Sequence, residues 1–133
     1  MRNFETGATR DSDVGKLDYE GFLCPLVLER YAQYLHKHRQ TANGMRDSDN
    51  WQNGIPRDVY IKSAWRHFHA MWKHHRGYSD TDITEDICGL LFNVMGYLHE
   101  TIKLSGYDDD FFVDSESSEL YAESIQEELR DGY

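Results

Sequence analysis

Apolar side chains recur at helical spacing in three separate segments of this chain, and this periodicity constrains its fold more than any other feature. In each segment they return every three or four residues, as on one face of an α-helix. Pro25 and Pro56 suit the first turn of a helix, and Gly77 and Gly106 suit positions just past a helix end. The pattern predicts helices over about residues 25–39, 56–75 and 83–105.

No segment alternates convincingly between apolar and polar residues at every second position, so the sequence predicts an all-α fold. We expect a helical bundle of three long helices plus a short C-terminal helix on Tyr121, Ile125 and Leu129. Because the helices have wide apolar faces, pairing with another copy is expected, and the protein should be a homo-oligomer. The expected core residues of the second helix are Ile61, Ala64, Trp65, Phe68 and Trp72. Cys24 and Cys88 are interpreted as small buried hydrophobic residues.

The charge of the chain is unevenly distributed. The formal net charge is -10, and residues 107–133 contain ten acidic residues against one arginine. The sequence therefore predicts a nucleotide-binding helical domain over residues 1–106, beginning with an irregular arm (1–24), and an acidic C-terminal tail over residues 107–133. An acidic protein lacks the basic surface that duplex binding needs, so no nucleic acid polymer is expected as a partner. No apolar run is long enough to span a bilayer or resembles a secretory signal, which predicts a soluble cytoplasmic protein without a membrane partner.

The stretch SAWRHFHAMWKHHR, residues 63–76, is unusually cationic and aromatic for so acidic a protein. A helical zinc site needs two ligands three or four residues apart, and the four histidines of this stretch have no such spacing. On a helical wheel most of its cations form a face that is ordinarily solvated. Arg66 and His67 are interpreted differently, as candidate ligand residues, because polar residues of the third helix are expected to lie opposite them.

In the third helix Asp86, Asn93 and Glu100 stand seven residues apart, with Gly89 and Gly96 between them. These residues share one stripe, and two interpretations stay open. In the first interpretation, the two glycines permit close helix packing, and Asn93 is a buried amide whose hydrogen bonds are satisfied. In the second, Asp86, Glu85 and Asn93 bind a hard cation or a polar ligand, opposite Arg66 and His67.

The order GATRDSDVGKLDYEGF, LVLERYAQYL, NWQNGIPRDVYIKSAWRHF and DICGLLFNVMGYL resembles the phage and prophage family described as the dATP/dGTP diphosphohydrolase N-terminal domain. The resemblance covers residues 5 to about 102, and its specific parts are Gly7, Ala8 and Arg10, the turn of Asn50, Trp51 and Gly54, Ser63 with Arg66 and His67, and Asn93 after an aromatic residue. Such proteins look like distant relatives of the MazG-type, all-α nucleoside triphosphate pyrophosphohydrolases. Those enzymes bind magnesium through clustered carboxylates on two adjacent helices, and the metal helps water attack the α-phosphate.

The resemblance implies a MazG-like, oligomeric, phage-encoded protein that binds purine nucleotides or deoxynucleotides in the host cytoplasm. In the hydrolase version Glu85 and Asp86 bind magnesium and His67 is the candidate catalytic residue. The residues assigned to the nucleotide are Arg10, Lys16, Trp51, Tyr60, Ser63, Arg66, His67 and Asn93. The sequence departs from the enzymes because Ser63, Arg66 and His67 replace a run of glutamates. The alternative is therefore a sponge that sequesters a host defence signal nucleotide without hydrolysing it.

Overall fold

Residues 1–106 are the part of the chain that the computed structural model describes, and 58% of them are helical. They form two units, Met1–Phe22 and Leu23–Gly106. The predicted all-α character is confirmed at this coarse level. The predicted C-terminal helix and acidic tail lie outside the described residues.

The N-terminal unit contains a short hairpin where the sequence predicts an irregular arm. Strand β1 (Arg2–Asn3) pairs antiparallel with β2 (Thr9–Arg10), and Arg2 lies opposite Arg10. Gly7 allows the turn between them because its φ of 89° lies in the left-handed region. A one-turn helix, α1 (Tyr19–Phe22), follows. Ladders of two residues are too short to show a period-two pattern, which explains why the sequence does not predict them.

The second unit contains the three helices at the predicted places. Helix α2 (Pro25–Lys37) has its proline at the first helical position. The hairpin of β3 (Gln40–Thr41) and β4 (Gly44–Met45) and a 3₁₀ turn (Asn50–Asn53) lead to α3 (Arg57–His75). Helix α4 (Ile83–Leu104) completes the unit. Helices α3 and α4, of 19 and 22 residues, are the long packed pair, whereas α2 has 13 residues.

Helix α4 begins directly after the N-cap residue Asp82. The carboxylate of Asp82 accepts a hydrogen bond from the Thr84 backbone N–H at 2.9 Å, which satisfies one of the free donors of the first turn. Glu85, in the first turn of the helix, forms ion pairs with Arg30 and Lys37 of α2.

The glycines of α4 determine which face of α3 is buried. A Cβ atom at Gly96 would overlap the Tyr60 ring, and one at Gly89 would overlap the His67 ring. The two rings, seven residues apart on α3, thus lie in two gaps seven residues apart on α4, and the helices run antiparallel. The packing interpretation of the glycines is confirmed.

The predicted core face of α3 is therefore largely wrong. Ala64 is buried, but Trp65 is 66% exposed and Trp72 is 49% exposed. Phe68 and Ile61 are also exposed, because the face rotated towards α4 is the one that carries Tyr60 and His67.

A second small core lies between α2 and α4. Tyr31 and Tyr34 of α2 are buried against Cys88 of α4, with Leu35, Leu91 and Phe92 packed around them. Cys88 is buried as predicted, but Cys24 is exposed at the start of α2. Within residues 1–106, no helix combines the length and the apolar character needed to cross a membrane.

Candidate functional site

A cavity of about 500 Å³ opens in the second unit, where the C-terminal half of α2 and the loop before α3 meet α3 and α4. This volume lies within the range of small-molecule sites, roughly 300–1,000 Å³. The residues lining it are Ala32, Tyr34, Leu35, His36, His38, Arg39, Arg46, Asp47, Ser48, Asn50, Trp51, Ser63, His67, Phe92 and Asn93.

The contact between α3 and α4 supplies one side of the cavity. The His67 ring lies against the backbone of Gly89, and the same register brings Ser63 level with Asn93. Asn93 is only 5% exposed, and its amide nitrogen donates to the Gly89 carbonyl at 2.7 Å. One amide hydrogen of Asn93 is thus satisfied within α4, while the residue still lines the cavity.

Two arginines form the cationic part of the lining. Arg39 donates from Nε to the Arg46 carbonyl oxygen at 2.8 Å, and Arg46 donates from Nη2 to the His38 carbonyl oxygen. These bonds hold both guanidinium groups against the backbone. Neither arginine forms an ion pair with a carboxylate among residues 1–106. Among the described residues, their remaining N–H groups have no partner and are suited to bind an anion.

Aromatic and imidazole rings also contribute to the cavity lining. Trp51 lines the cavity and packs edge-on against His99, with ring centroids 4.7 Å apart. His38 packs against Tyr34 at 4.3 Å. Because a flat indole ring is a suitable surface for stacking, the cavity combines an aromatic face with cationic donors.

Four of the sequence-predicted ligand residues meet at this cavity: Trp51, Ser63, His67 and Asn93. Arg66 does not line it and is exposed on α3. Arg10 and Lys16 are exposed residues of the N-terminal unit, in β2 and in the segment before α1.

Tyr60 is also assigned to the ligand by the sequence, but the structure buries it. It is 1% exposed, and its ring lies against Gly96. Burial, with a further contribution from the Glu100 carboxylate, raises its pKa above the usual value. The Tyr60 hydroxyl has no hydrogen-bond partner within the described residues.

The two predicted magnesium ligands lie at the start of α4, in different surroundings. Glu85 contacts Lys37 at 3.1 Å, Arg30 at 3.3 Å and His38 at 3.6 Å. The hydrogen bond from Lys37 is the main cause that lowers the pKa of Glu85. Asp86 has one buried oxygen, Oδ2, without a hydrogen-bond partner in residues 1–106.

These surroundings do not fit a magnesium centre in the observed arrangement. Cations already occupy the Glu85 carboxylate, and the described residues contain no group of three His, Cys, Asp or Glu side chains placed to hold a metal. Magnesium binding by Glu85 and Asp86 stays a prediction.

Sequence reasoning misses most of the cationic lining. Arg46 and Asp47 belong to the second copy of the tetrapeptide RDSD, which by itself indicates only turn chemistry. Arg39, His36 and His38 lie at the end of α2, where basic residues also favour the helix dipole. Only the folded chain shows that both groups line one cavity.

Comparison of the chain with protein-family models, with curated proteins and with solved structures gives no match.

Proposed function

We propose that this protein binds a purine nucleotide in the cavity between α2, the following loop and the α3–α4 pair. The observation that carries this proposal is the pair of backbone-held arginines, Arg39 and Arg46, which line a cavity of nucleotide-binding size without a carboxylate partner in residues 1–106. Guanidinium groups bind phosphate through charge-assisted, often bidentate, hydrogen bonds. Holding them in place before the ligand arrives reduces the entropy lost on binding.

The rest of the lining supports a nucleotide over a simple inorganic anion. Trp51 offers an aromatic face for the base, and Ser63 and Asn93 offer polar groups for its edge. An inorganic anion would leave these groups without a role. The resemblance to the dATP/dGTP diphosphohydrolase N-terminal domain family also implies a purine base.

The first test is binding of a nucleotide panel by isothermal titration calorimetry, with Arg46→Ala compared with the unchanged protein. Loss of a charge-assisted hydrogen bond costs about 1.5–3 kcal/mol, so Arg46→Ala should weaken affinity by roughly tenfold to a hundredfold. Lys73→Ala is the matched control, because Lys73 is an exposed cation of α3 that does not line the cavity.

Arg66→Ala separates the cavity from the site expected by sequence alone. Binding weakened by Arg66→Ala but not by Arg46→Ala would place the phosphates on the outer face of α3 and contradict the cavity. If no purine nucleotide binds the unchanged protein at millimolar concentration, the proposed function is wrong. Circular dichroism of each variant establishes that it is folded.

The ion pairs of the Glu85 carboxylate favour nucleotide binding without hydrolysis, as in a nucleotide sponge. This carboxylate is neutralised by α2 cations instead of being available to a metal. The second candidate, a magnesium-dependent nucleoside triphosphate diphosphohydrolase, is favoured by the unpartnered buried oxygen of Asp86. Chromatography of the bound nucleotide after incubation with magnesium distinguishes them. Unaltered nucleotide indicates a sponge, and monophosphate formed over many turnovers indicates the hydrolase.

A further inference from the structure

Asp47 is the one carboxylate in the cavity lining formed by the described residues. The other ionisable side chains of that lining, apart from Tyr34, are two arginines and three histidines. A carboxylate repels phosphate, so it does not contribute to anion binding. It accepts hydrogen bonds and therefore suits a part of the ligand that donates them.

The Asp47 carboxylate is available for such a contact. Within residues 1–106 its side chain makes no hydrogen bond or ion pair, and only its backbone carbonyl is used, accepting from the Asn50 N–H at 3.1 Å. Ser48 and Asn50, which also line the cavity, extend the same loop wall with further polar groups. His36, in the last turn of α2, and His38 and Arg39, directly after that helix, also line the cavity and form its cationic wall. The same lining thus offers cationic donors and, at Asp47, a carboxylate acceptor.

The position of Asp47 in the chain places it next to a cationic residue of the lining. It directly follows Arg46, one of the two proposed phosphate ligands. In a nucleotide the sugar is the group attached to the phosphate, so a side chain beside the phosphate contacts meets the sugar first. A ribose presents two neighbouring hydroxyl donors, and a carboxylate presents two acceptor oxygens.

We infer that Asp47 accepts hydrogen bonds from the ribose hydroxyls and that the ligand class is ribonucleotides in preference to deoxyribonucleotides. This inference rests on the proposed function, because it concerns the same cavity. An acidic residue that binds ribose hydroxyls is a general solution in dinucleotide-binding folds. A site that hydrogen-bonds a hydroxyl discriminates against the analogue that lacks it, because its polar group is left unpaired.

The test measures the affinities of ATP, 2′-deoxy-ATP and 2′,3′-dideoxy-ATP, and of the corresponding guanine nucleotides, for the full chain and for Asp47→Ala. Asp47 is exposed, so the substitution leaves the helix packing intact. We expect the unchanged protein to prefer ribonucleotides by roughly tenfold or more, as for loss of a hydrogen bond to a charged group. Asp47→Ala should reduce this preference to about twofold or less while retaining binding of the deoxynucleotides.

Asp49→Ala is the matched control, since Asp49 is an exposed acid of the same loop that does not line the cavity. It should keep the preference of the unchanged protein. Equal affinity for ATP and 2′-deoxy-ATP, or a preference that survives Asp47→Ala, overturns the inference while leaving nucleotide binding intact. Failure of every nucleotide to bind is the different result that contradicts the proposed function itself.

Discussion

Two glycines on α4 have consequences that extend from helix packing to the cavity. Gly96 accommodates the Tyr60 ring, and Gly89 accommodates the His67 ring. The second contact places an imidazole in the cavity lining beside Asn93. A side chain as small as one methyl group at either glycine would force a ring out of its place.

Gly96→Ala is expected to destabilise the protein. The new methyl group meets the rigid ring of a fully buried tyrosine, and overpacking of this kind costs about 1–3 kcal/mol, more than the roughly 1 kcal/mol by which alanine is the better helix former. The measurement is the free energy of unfolding in urea. Met95→Ala, an exposed change in the same helical turn, should remain within about 0.5 kcal/mol of the unchanged protein. A higher free energy of unfolding for Gly96→Ala would contradict this expectation, because it would show that the Tyr60 ring moves aside at little cost.

At the scale of elements, α2 is held against the start of α4 by a cluster of ion pairs. Arg30 donates to Thr84 Oγ1 at 2.7 Å and contacts both Asp82 and Glu85, while Lys37, about two turns further along α2, contacts Glu85. Below this cluster lie the buried tyrosines of α2. Burial raises the pKa of Tyr31 to about 12. The same helix ends at the cavity, so these ion pairs also position its cationic wall.

Glu85→Gln tests this connection through the pH dependence of stability. Because the pKa of Glu85 is lowered in the folded state, its contribution is fully present above the ordinary carboxylate pKa and is lost as pH falls through the lowered value. We expect Glu85→Gln to be less stable at pH 7, by about 1 kcal/mol or less for a partly exposed pair, and to lose less stability on acidification. Urea unfolding at pH 7 and at successively lower pH measures the free energy of unfolding and its decrease on acidification. Glu29→Gln changes an exposed residue of α2 and should show the same pH dependence of stability as the unchanged protein. The same pH dependence in the unchanged protein, Glu29→Gln and Glu85→Gln would contradict the role of Glu85.

At the scale of the whole molecule, the second unit leaves much of its apolar surface uncovered. Trp65, Phe68 and Trp72 lie three or four residues apart on α3 and are 66%, 44% and 49% exposed. Ile61, Ala64, Trp65, Phe68 and Leu90 also line a shallow apolar groove. Contiguous apolar surface of this kind is typical of protein interfaces.

We propose that this face of α3 mediates homo-oligomerisation, so the full chain should sediment as at least a dimer at micromolar concentration. Replacing Trp65 and Trp72 by serine should shift the protein towards monomers, because the two side chains are 66% and 49% exposed in a single copy and the change removes apolar area from this face. Tyr78→Ser provides the control, since Tyr78 is 78% exposed outside α3. A monomeric unchanged protein with native helicity would exclude the proposal.

Some features of this protein follow from the sequence alone because they depend on near neighbours in the chain. Helical spacing of apolar residues, proline at a first turn and an aspartate N-cap act within a few residues, and they locate α2, α3 and α4 closely. The family resemblance implies Trp51, Ser63, His67 and Asn93 as ligand residues, and all four line the cavity.

Other features are decided only by tertiary structure because they depend on residues far apart in the chain. Helical spacing shows that α3 has an aromatic face, but the gaps at Gly89 and Gly96 determine that a different face is buried. Similarly, the ion pairs of Glu85 with Arg30 and Lys37 form only because α2 packs against the start of α4. Arg39 and Arg46 become a candidate anion site only because the hairpin of β3 and β4 folds them back onto one cavity.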